Sequence, residues 1–336
     1  MLLIAGAPVT LRIAGALTAA GPPHATPLDS EDARSLLLPL LSQEQSRELE
    51  HAKSVDLCFS REGIGRFRAN IHHQRGTVAG SIRLLPEKVP TLESLHLPAT
   101  MRRFAEAHQG LVLITGATGC GKSSTLAALI DLINTNRRDH VVTIEDPIEF
   151  VHGNRQSLIE QIEIGQDAPD FAGSLRSILR QNPDVILVGE MRDPETIATV
   201  LTAAETGHLV LSTLHTNDTS QAVSRILDSF PSSNQPQIRQ QLSLALLAVV
   251  AQQLVPAANG ARYPAVEILM ASTGVRNLIR KGDDHQLYTA LSTGRAEGMI
   301  TMEQSLAEMV RSGRITRETA LAHGFRSDAL SRYLEA

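Results

Sequence analysis

The sequence predicts an α/β protein in which a parallel β-sheet is covered by helices on both faces and preceded by a small α+β domain. Three observations carry this. Residues 111–114, 141–144, 185–188 and 209–214 are short, near-continuous apolar runs separated by helical stretches, the pattern of parallel strands buried on both faces. A glycine-rich turn joins the first run to a helical one, giving strand, turn and helix in sequence. In residues 66–72 and 78–84, apolar and polar residues alternate around a turn at Arg75-Gly76, as in a hairpin of half-buried strands.

Taken in order, residues 1–28 read as a strand or two and a Pro-rich turn at Gly21-Pro22-Pro23. The apolar start lacks a basic segment and is broken by Pro8 and Arg12, so strand material is expected rather than a signal peptide. Residues 30–52 read as helical, with Ser42 and Gln45 spaced as a capping box. In the hairpin, Arg66 and Arg68 fall on the polar face of one strand and Arg83 on that of the other. Pro86, Pro90 and Pro98 punctuate a linker. The expected division is a domain over 1–88, a linker over 89–103 and a second domain over 104–336, mostly helical from about residue 216. The apolar run 242–255 carries Gln252 and Gln253 and is too short to span a bilayer; a buried helix is expected there.

Composition narrows the function. A chain of 336 residues with 42% apolar and 20% charged residues suits a soluble two-domain protein. A net charge of −5, 3% aromatics and no Trp argue against direct nucleic-acid binding. Cys58 and Cys120 form no C-x-x-C pair, which leaves a zinc ribbon unsupported and fits a reducing cytosol. No integral membrane segment is expected, so membrane association would run through partners.

Residues 116–123, GATGCGKS, match G-x-x-x-x-G-K-[ST] in the strand–turn–helix context that gives the pattern its meaning. Gly116, Gly119 and Gly121 let the backbone wrap closely, so that the N–H groups around Thr118 and Cys120 point at phosphates. The helix opening at Ser123 and Ser124 adds a positive dipole end. Lys122 brings a mobile charge to the β- and γ-phosphates, in a chain whose other lysines are Lys53, Lys88 and Lys281. The Ser123 hydroxyl can ligate Mg²⁺. Neither the N-K-x-D motif of GTPases nor the L-S-G-G-Q motif of ABC ATPases occurs.

Ligands of open α/β sheets sit beyond the C-terminal strand ends, where this sequence gathers acids. The second run finishes in Glu145-Asp146-Pro147-Ile148-Glu149 and the third in Gly189-Glu190-Met191-Arg192-Asp193; His208 opens the fourth and His215 follows it. Glu149 and Glu190 have the chemistry to orient an attacking water and to hold hydrated Mg²⁺. Glu145 and Asp146 serve equally well as caps of the turn at Pro147. Glu190 stands where a conventional Walker B strand has aspartate.

Residues 110–131, 141–150, 175–197 and 203–217 resemble, in order and spacing, the Walker A, Asp box, Walker B and His box of the PilT-like pilus retraction ATPases, within the type II/IV secretion ATPase family. Residues 274–280, GVRNLIR, resemble that branch's A-I-R-N-L-I-R-E motif. The resemblance implies a RecA-like P-loop core, a PAS-like N-terminal domain and a ring-shaped homohexamer. It implies ATP with Mg²⁺, bound between domains and completed by a neighbouring subunit. The implied work is type IV pilus retraction, with the pilus inner-membrane platform protein as partner, a paralogous ATPase as a further one, and a cytoplasmic place at the inner membrane. By motif position, Glu149 is the implied general base and Glu190 the organiser of Mg²⁺ and water. His208 and His215 would sense the nucleotide, and Arg68 and Arg83 would reach the γ-phosphate; Arg176 and Arg180 are further candidates for that charge. The sequence departs from the family at Cys120, usually Ser, at Ile162, usually Arg, and at Lys281, usually Glu. The A-S-D-L-H opening is not matched, so a truncated start or an altered first strand is expected. The zinc insert of extension ATPases is absent, which favours retraction. A traffic ATPase for secretion or DNA uptake, and a weakly hydrolysing regulatory ring subunit, stay open as alternatives.

Overall fold

The computed structural model describes residues 1–13, 16–21, 26–258 and 260–335; Pro22 and Pro23 of the expected turn lie outside the described residues. The chain divides into two units, Met1–Lys88 and Val89–Ala336.

The first unit runs β1 (Leu2–Leu3), β2 (Thr10–Ile13), β3 (Ala16–Ala19), α1 (Ser30–Leu37), α2 (Gln43–Ala52), β4 (Ser54–Arg61), β5 (Gly65–Gln74) and β6 (Thr77–Leu84). Its six strands pair antiparallel in the order β3-β2-β1-β6-β5-β4. The expected hairpin is β5–β6, turning at Arg75 and Gly76 with φ of 48° and 75°. Its register sets Arg68 directly opposite Arg83. Both helices open on capping boxes, Asp29 with Asp32 and, as expected, Ser42 with Gln45. The alternation of β4–β6 sends Val55, Leu57, Ala69, Ile71, Val78 and Ile82 against Leu37 and Leu49 of the helices.

The second unit opens with α3 (Arg102–Glu106), β7 (Gly110–Thr115), α4 (Lys122–Asn136), β8 (His140–Glu145), β9 (Leu158–Glu163) and α5 (Phe171–Ile178). It continues with β10 (Val185–Val188), α6 (Pro194–Glu205), β11 (Leu209–Leu214), α7 (Thr219–Asp228), α8 (Gln235–Ala245), β12 (Leu246–Pro256) and β13 (Arg262–Met270). Helices α9 (Thr273–Lys281), α10 (Leu287–Thr293), α11 (Met302–Arg311), α12 (Arg317–His323) and α13 (Ser327–Glu335) follow. The seven strands order as β13-β12-β7-β11-β10-β8-β9, all parallel except β13.

Alternate side chains of these strands feed two cores. Leu111, Leu113, Val142, Ile186 and Val210 pack with apolar residues of α5–α10 on one face. Val112, Ile114, Val141, Leu187 and Leu211 pack with Phe104 of α3 and Leu126, Leu129 and Ile133 of α4 on the other. Each fully buried aliphatic side chain contributes about 1.5–3 kcal/mol. Residues 89–103 do not hang free between domains: Leu92, Leu97 and Met101 are buried in the α4-side core.

One expected element is corrected. Residues 242–255 are not a buried helix; α8 ends at Ala245 and the run continues as β12. A continuous apolar run has no period to separate helix from strand. Here β-branched Val249 and Val250 join a strand that pairs with β7 on one side and β13 on the other.

The arrangement puts β7 at a switch point. The chain leaves β7 for β8, returns through β10 to β11 beside it, then crosses to β12 on its other side. Thr115 aligns with Leu214, Ser212 with Val188, and Val188 with Ile144. The loops leaving these four strands therefore share one rim.

Candidate nucleotide site

The loop leaving β7 depends on its glycines. Gly116, Gly119 and Gly121 have φ of 141°, 81° and 96°, a region open mainly to glycine. A Cβ on Gly116 would lie 2.2 Å from the Gln252 carbonyl oxygen and 2.6 Å from Cys120 Sγ. Ala117, Thr118 and Gly119 are exposed at the crest, and the Cys120 thiol is buried beneath. Burial pushes that thiol's pKa up, against the pull of the Lys122 charge. Helix α4 begins at Lys122, with Ser123 exposed and Ser124 half-buried. Its first turn presents backbone N–H groups that have no partner within the helix, the feature that suits a helix start to an anion.

Lys122 is buried, and its Nζ donates to the carbonyl oxygens of Gly116 at 2.8 Å and Ala117 at 3.2 Å. Burial lowers its pKa, opposed by the charges of Cys120, Glu190 and Glu149. Nζ also lies 3.5 Å from His215 Nδ1. His215 Nε2 is 3.1 Å from Glu190 Oε1, and Arg192 Nη2 is 2.7 Å from Glu190 Oε2. A chain of contacts thus runs from Arg192 through Glu190 and His215 to Lys122. Burial pushes the Glu190 carboxyl up, but the Arg192 hydrogen bond and the His215 and Arg192 charges outweigh it and hold the pKa below the usual value.

Of the other sequence-predicted residues, Glu149 is half-buried on the same side of the sheet, its charge acting on Lys122 and Glu145. Glu145 accepts from Thr143 Oγ1 at 2.7 Å and from Gln161 Nε2 at 3.1 Å. Burial raises its pKa. It is thus tied to β8 and β9 rather than to the turn at Pro147.

His208 is the residue the structure does not bring in. It precedes β11, and its carbonyl accepts the N–H of Gly110, the first residue of β7. Parallel strands start on one rim and end on the other, so a six-residue strand, about 20 Å, separates His208 from the phosphate loop. Arg176 is also engaged elsewhere, paired with Glu195 of α6. In the first unit, Arg68 and Arg83 face each other across β5 and β6. Like charges so placed repel, and an anion between them would relieve that.

Sequence reasoning missed Arg192, Gln161, Gln252 and Glu267. Arg192 had a local signal, two residues beyond Glu190 in the same turn. The others act through pairings between distant strands. Glu267 of β13 is buried and accepts the Thr219 N–H at 3.0 Å and the Thr219 Oγ1 proton at 2.8 Å. It thereby anchors the start of α7, four residues after His215. Burial raises its pKa, the Thr219 bonds opposing. A folded-state pKa above the unfolded value favours folding fully below the unfolded value and loses that effect as pH rises through the folded one. Glu267→Gln should therefore gain melting temperature relative to the parent as pH is raised from 5 to 8. A pH-independent difference between the two melting curves would refute this.

Among the described residues, no group of three or more His, Cys, Asp and Glu side chains is placed to hold a metal ion. Ser123 and Glu190 carry oxygen donors of the kind that a hard cation such as Mg²⁺ prefers.

The family described as type II/IV secretion system protein matches residues 82–323. The type IV pilus retractation ATPase PilT of Pseudomonas aeruginosa is 41% identical over 318 residues, covering 95% of this chain and 92% of that protein. A twitching motility protein of Neisseria gonorrhoeae is 44% identical over 305 residues, covering 90% and 82%. Among solved structures, the pilus retraction motor PilT with bound ADP superimposes with a TM-score of 0.90 at 42% identity, covering 98% of this chain and 94% of that one.

Proposed function

The chain belongs to the type II/IV secretion system protein family, and on that premise we propose that it is an ATPase whose hydrolysis cycle powers type IV pilus retraction. The relatives named for pilus retraction and twitching motility support this reading. The observation that carries it is the chain of contacts joining the phosphate loop to the neighbouring strand ends: Lys122 to His215 at 3.5 Å and His215 to Glu190 at 3.1 Å.

Hydrolysis needs a water to attack the γ-phosphorus in line, the bond to the β–γ bridging oxygen to break, and the water's proton to be taken up. The N–H groups of residues 118–124 hold the phosphates, and Lys122 turns from the Gly116 and Ala117 carbonyls to the β- and γ-oxygens. A carboxylate held at low pKa orients water better than it accepts a proton. We read Glu190 as the residue that orients the water and Glu149 as the one that takes up its proton. Ser123 and Glu190 would hold Mg²⁺, which neutralises charge on the phosphate oxygens. Arg68 and Arg83 are suited to share an anionic oxygen. Arginines serve this role well because the guanidinium is always charged and donates in a planar fork.

We assign a ring of identical subunits as the working form, with a pilus inner-membrane platform protein as the element acted on. No helix among the described residues is long and apolar enough to cross a membrane, so attachment at the membrane falls to that partner. ATPase activity measured across size-exclusion fractions tests hydrolysis and assembly together. Mg²⁺-dependent turnover concentrated in the ring-sized fractions is expected; protein without turnover in any fraction would refute the reading.

A further inference from the structure

We propose that Gln252 is a positioning residue for the nucleotide, its side-chain amide aiming the N–H groups of the phosphate loop. The inference rests on the nucleotide reading of that loop.

Gln252 lies on β12 and is 4% exposed. Ala251, the residue before it, aligns with Thr115, the last residue of β7, so Gln252 sits beside the point where the loop departs. Its backbone carbonyl lies against Gly116, where any Cβ would meet it. The side chain then reaches across the loop. Nε2 donates to the Cys120 carbonyl at 2.7 Å, and Oε1 accepts from Thr125 Oγ1 at 2.8 Å. Thr125 is fully buried in the first turn of α4. One amide therefore ties the loop's last turn to the helix it feeds.

The consequence for ligand binding follows from peptide geometry. In a trans peptide the C=O and the next N–H point in opposite directions. Fixing the Cys120 carbonyl toward β12 turns the Gly121 N–H the other way, away from the sheet and toward the cradle. Gly121 itself must lack a side chain, because a Cβ there would lie 2.8 Å from Gln252 Nε2. At neutral pH a primary amide supplies a donor and an acceptor side by side at this position. Leucine fills similar space with neither. An ionised glutamate accepts from Thr125 but repels the Cys120 carbonyl; protonated, it can donate again.

The test is equilibrium binding of a fluorescent N-methylanthraniloyl ATP with Mg²⁺ to the full chain and to Gln252→Leu and Gln252→Glu, between pH 5.5 and 8. Melting temperatures are measured alongside, and binding is read well below them. Gln252→Leu should weaken binding about tenfold or more at every pH, the scale of one lost charge-directed hydrogen bond. Gln252→Glu should be as weak at pH 8 and recover toward the parent as pH falls, because burial raises a carboxyl pKa. A merely structural glutamine would give no such recovery. If the parent binds and Gln252→Leu binds equally well, the positioning role is wrong while the nucleotide reading stands. If the parent does not bind the probe, the nucleotide reading falls and this inference with it.

Discussion

Glu190→Gln is expected to slow ATP hydrolysis by about 10²–10⁴-fold while leaving nucleotide affinity nearly unchanged. The substitution keeps shape and one acceptor oxygen but removes the charge that Arg192 and His215 hold in place. Those contacts lie beside the loop rather than in it, so the N–H groups of residues 118–124 are untouched. A group whose folded pKa is depressed stays ionised above its unfolded value and is protonated only as pH falls through the lower, folded value. Glu190 is therefore charged throughout the neutral range, and activity lost between pH 7 and pH 5 has another origin. Single-turnover hydrolysis beside equilibrium titration separates the two effects. A variant that turns over at the parental rate would remove Glu190 from the chemistry.

Gly116→Ala is expected to damage both stability and binding. The added Cβ would stand 2.2 Å from the Gln252 carbonyl oxygen. That oxygen belongs to a strand flanked on both sides, so it cannot move aside cheaply. The residue must also keep φ of 141°, which costs a side-chain-bearing residue about 1–3 kcal/mol, on top of about 1–3 kcal/mol for overpacking. Chemical denaturation should report a loss within the sum of these, about 2–6 kcal/mol, with nucleotide binding weakened further because the loop's first turn is displaced. A parental denaturation midpoint would mean that the close approach is not real.

The phosphate loop and the acids at strand ends were legible because each is local: a contiguous motif, or a charged residue closing an apolar run. The strand 209–214 is legible with its observed bounds because it is central and mostly apolar, Ser212 and Thr213 being its two polar residues. Three things were not legible. Edge strand β9 hides behind Glu160 and Glu163, which break its apolar pattern. Strand β12 reads as helix because burial on both faces erases the period. The residues that brace the site, Gln161, Gln252 and Glu267, act across strands far apart in sequence, and no spacing announces such pairings. His208 is a different case. Its place at the start of a strand was visible, and parallel topology alone assigns it to the far rim.

That far rim has work of its own. The Gly110 N–H donates to the His208 carbonyl, the Leu209 N–H to that of Asp184, and the Asp184 N–H to that of His140, while Asp184 Oδ2 accepts from the His140 N–H. These are stitches between neighbouring strand origins. Sequence drift across such a protein should be lopsided: replacements along the stitched border would register in a thermal melt, those along the opposite border in a turnover assay.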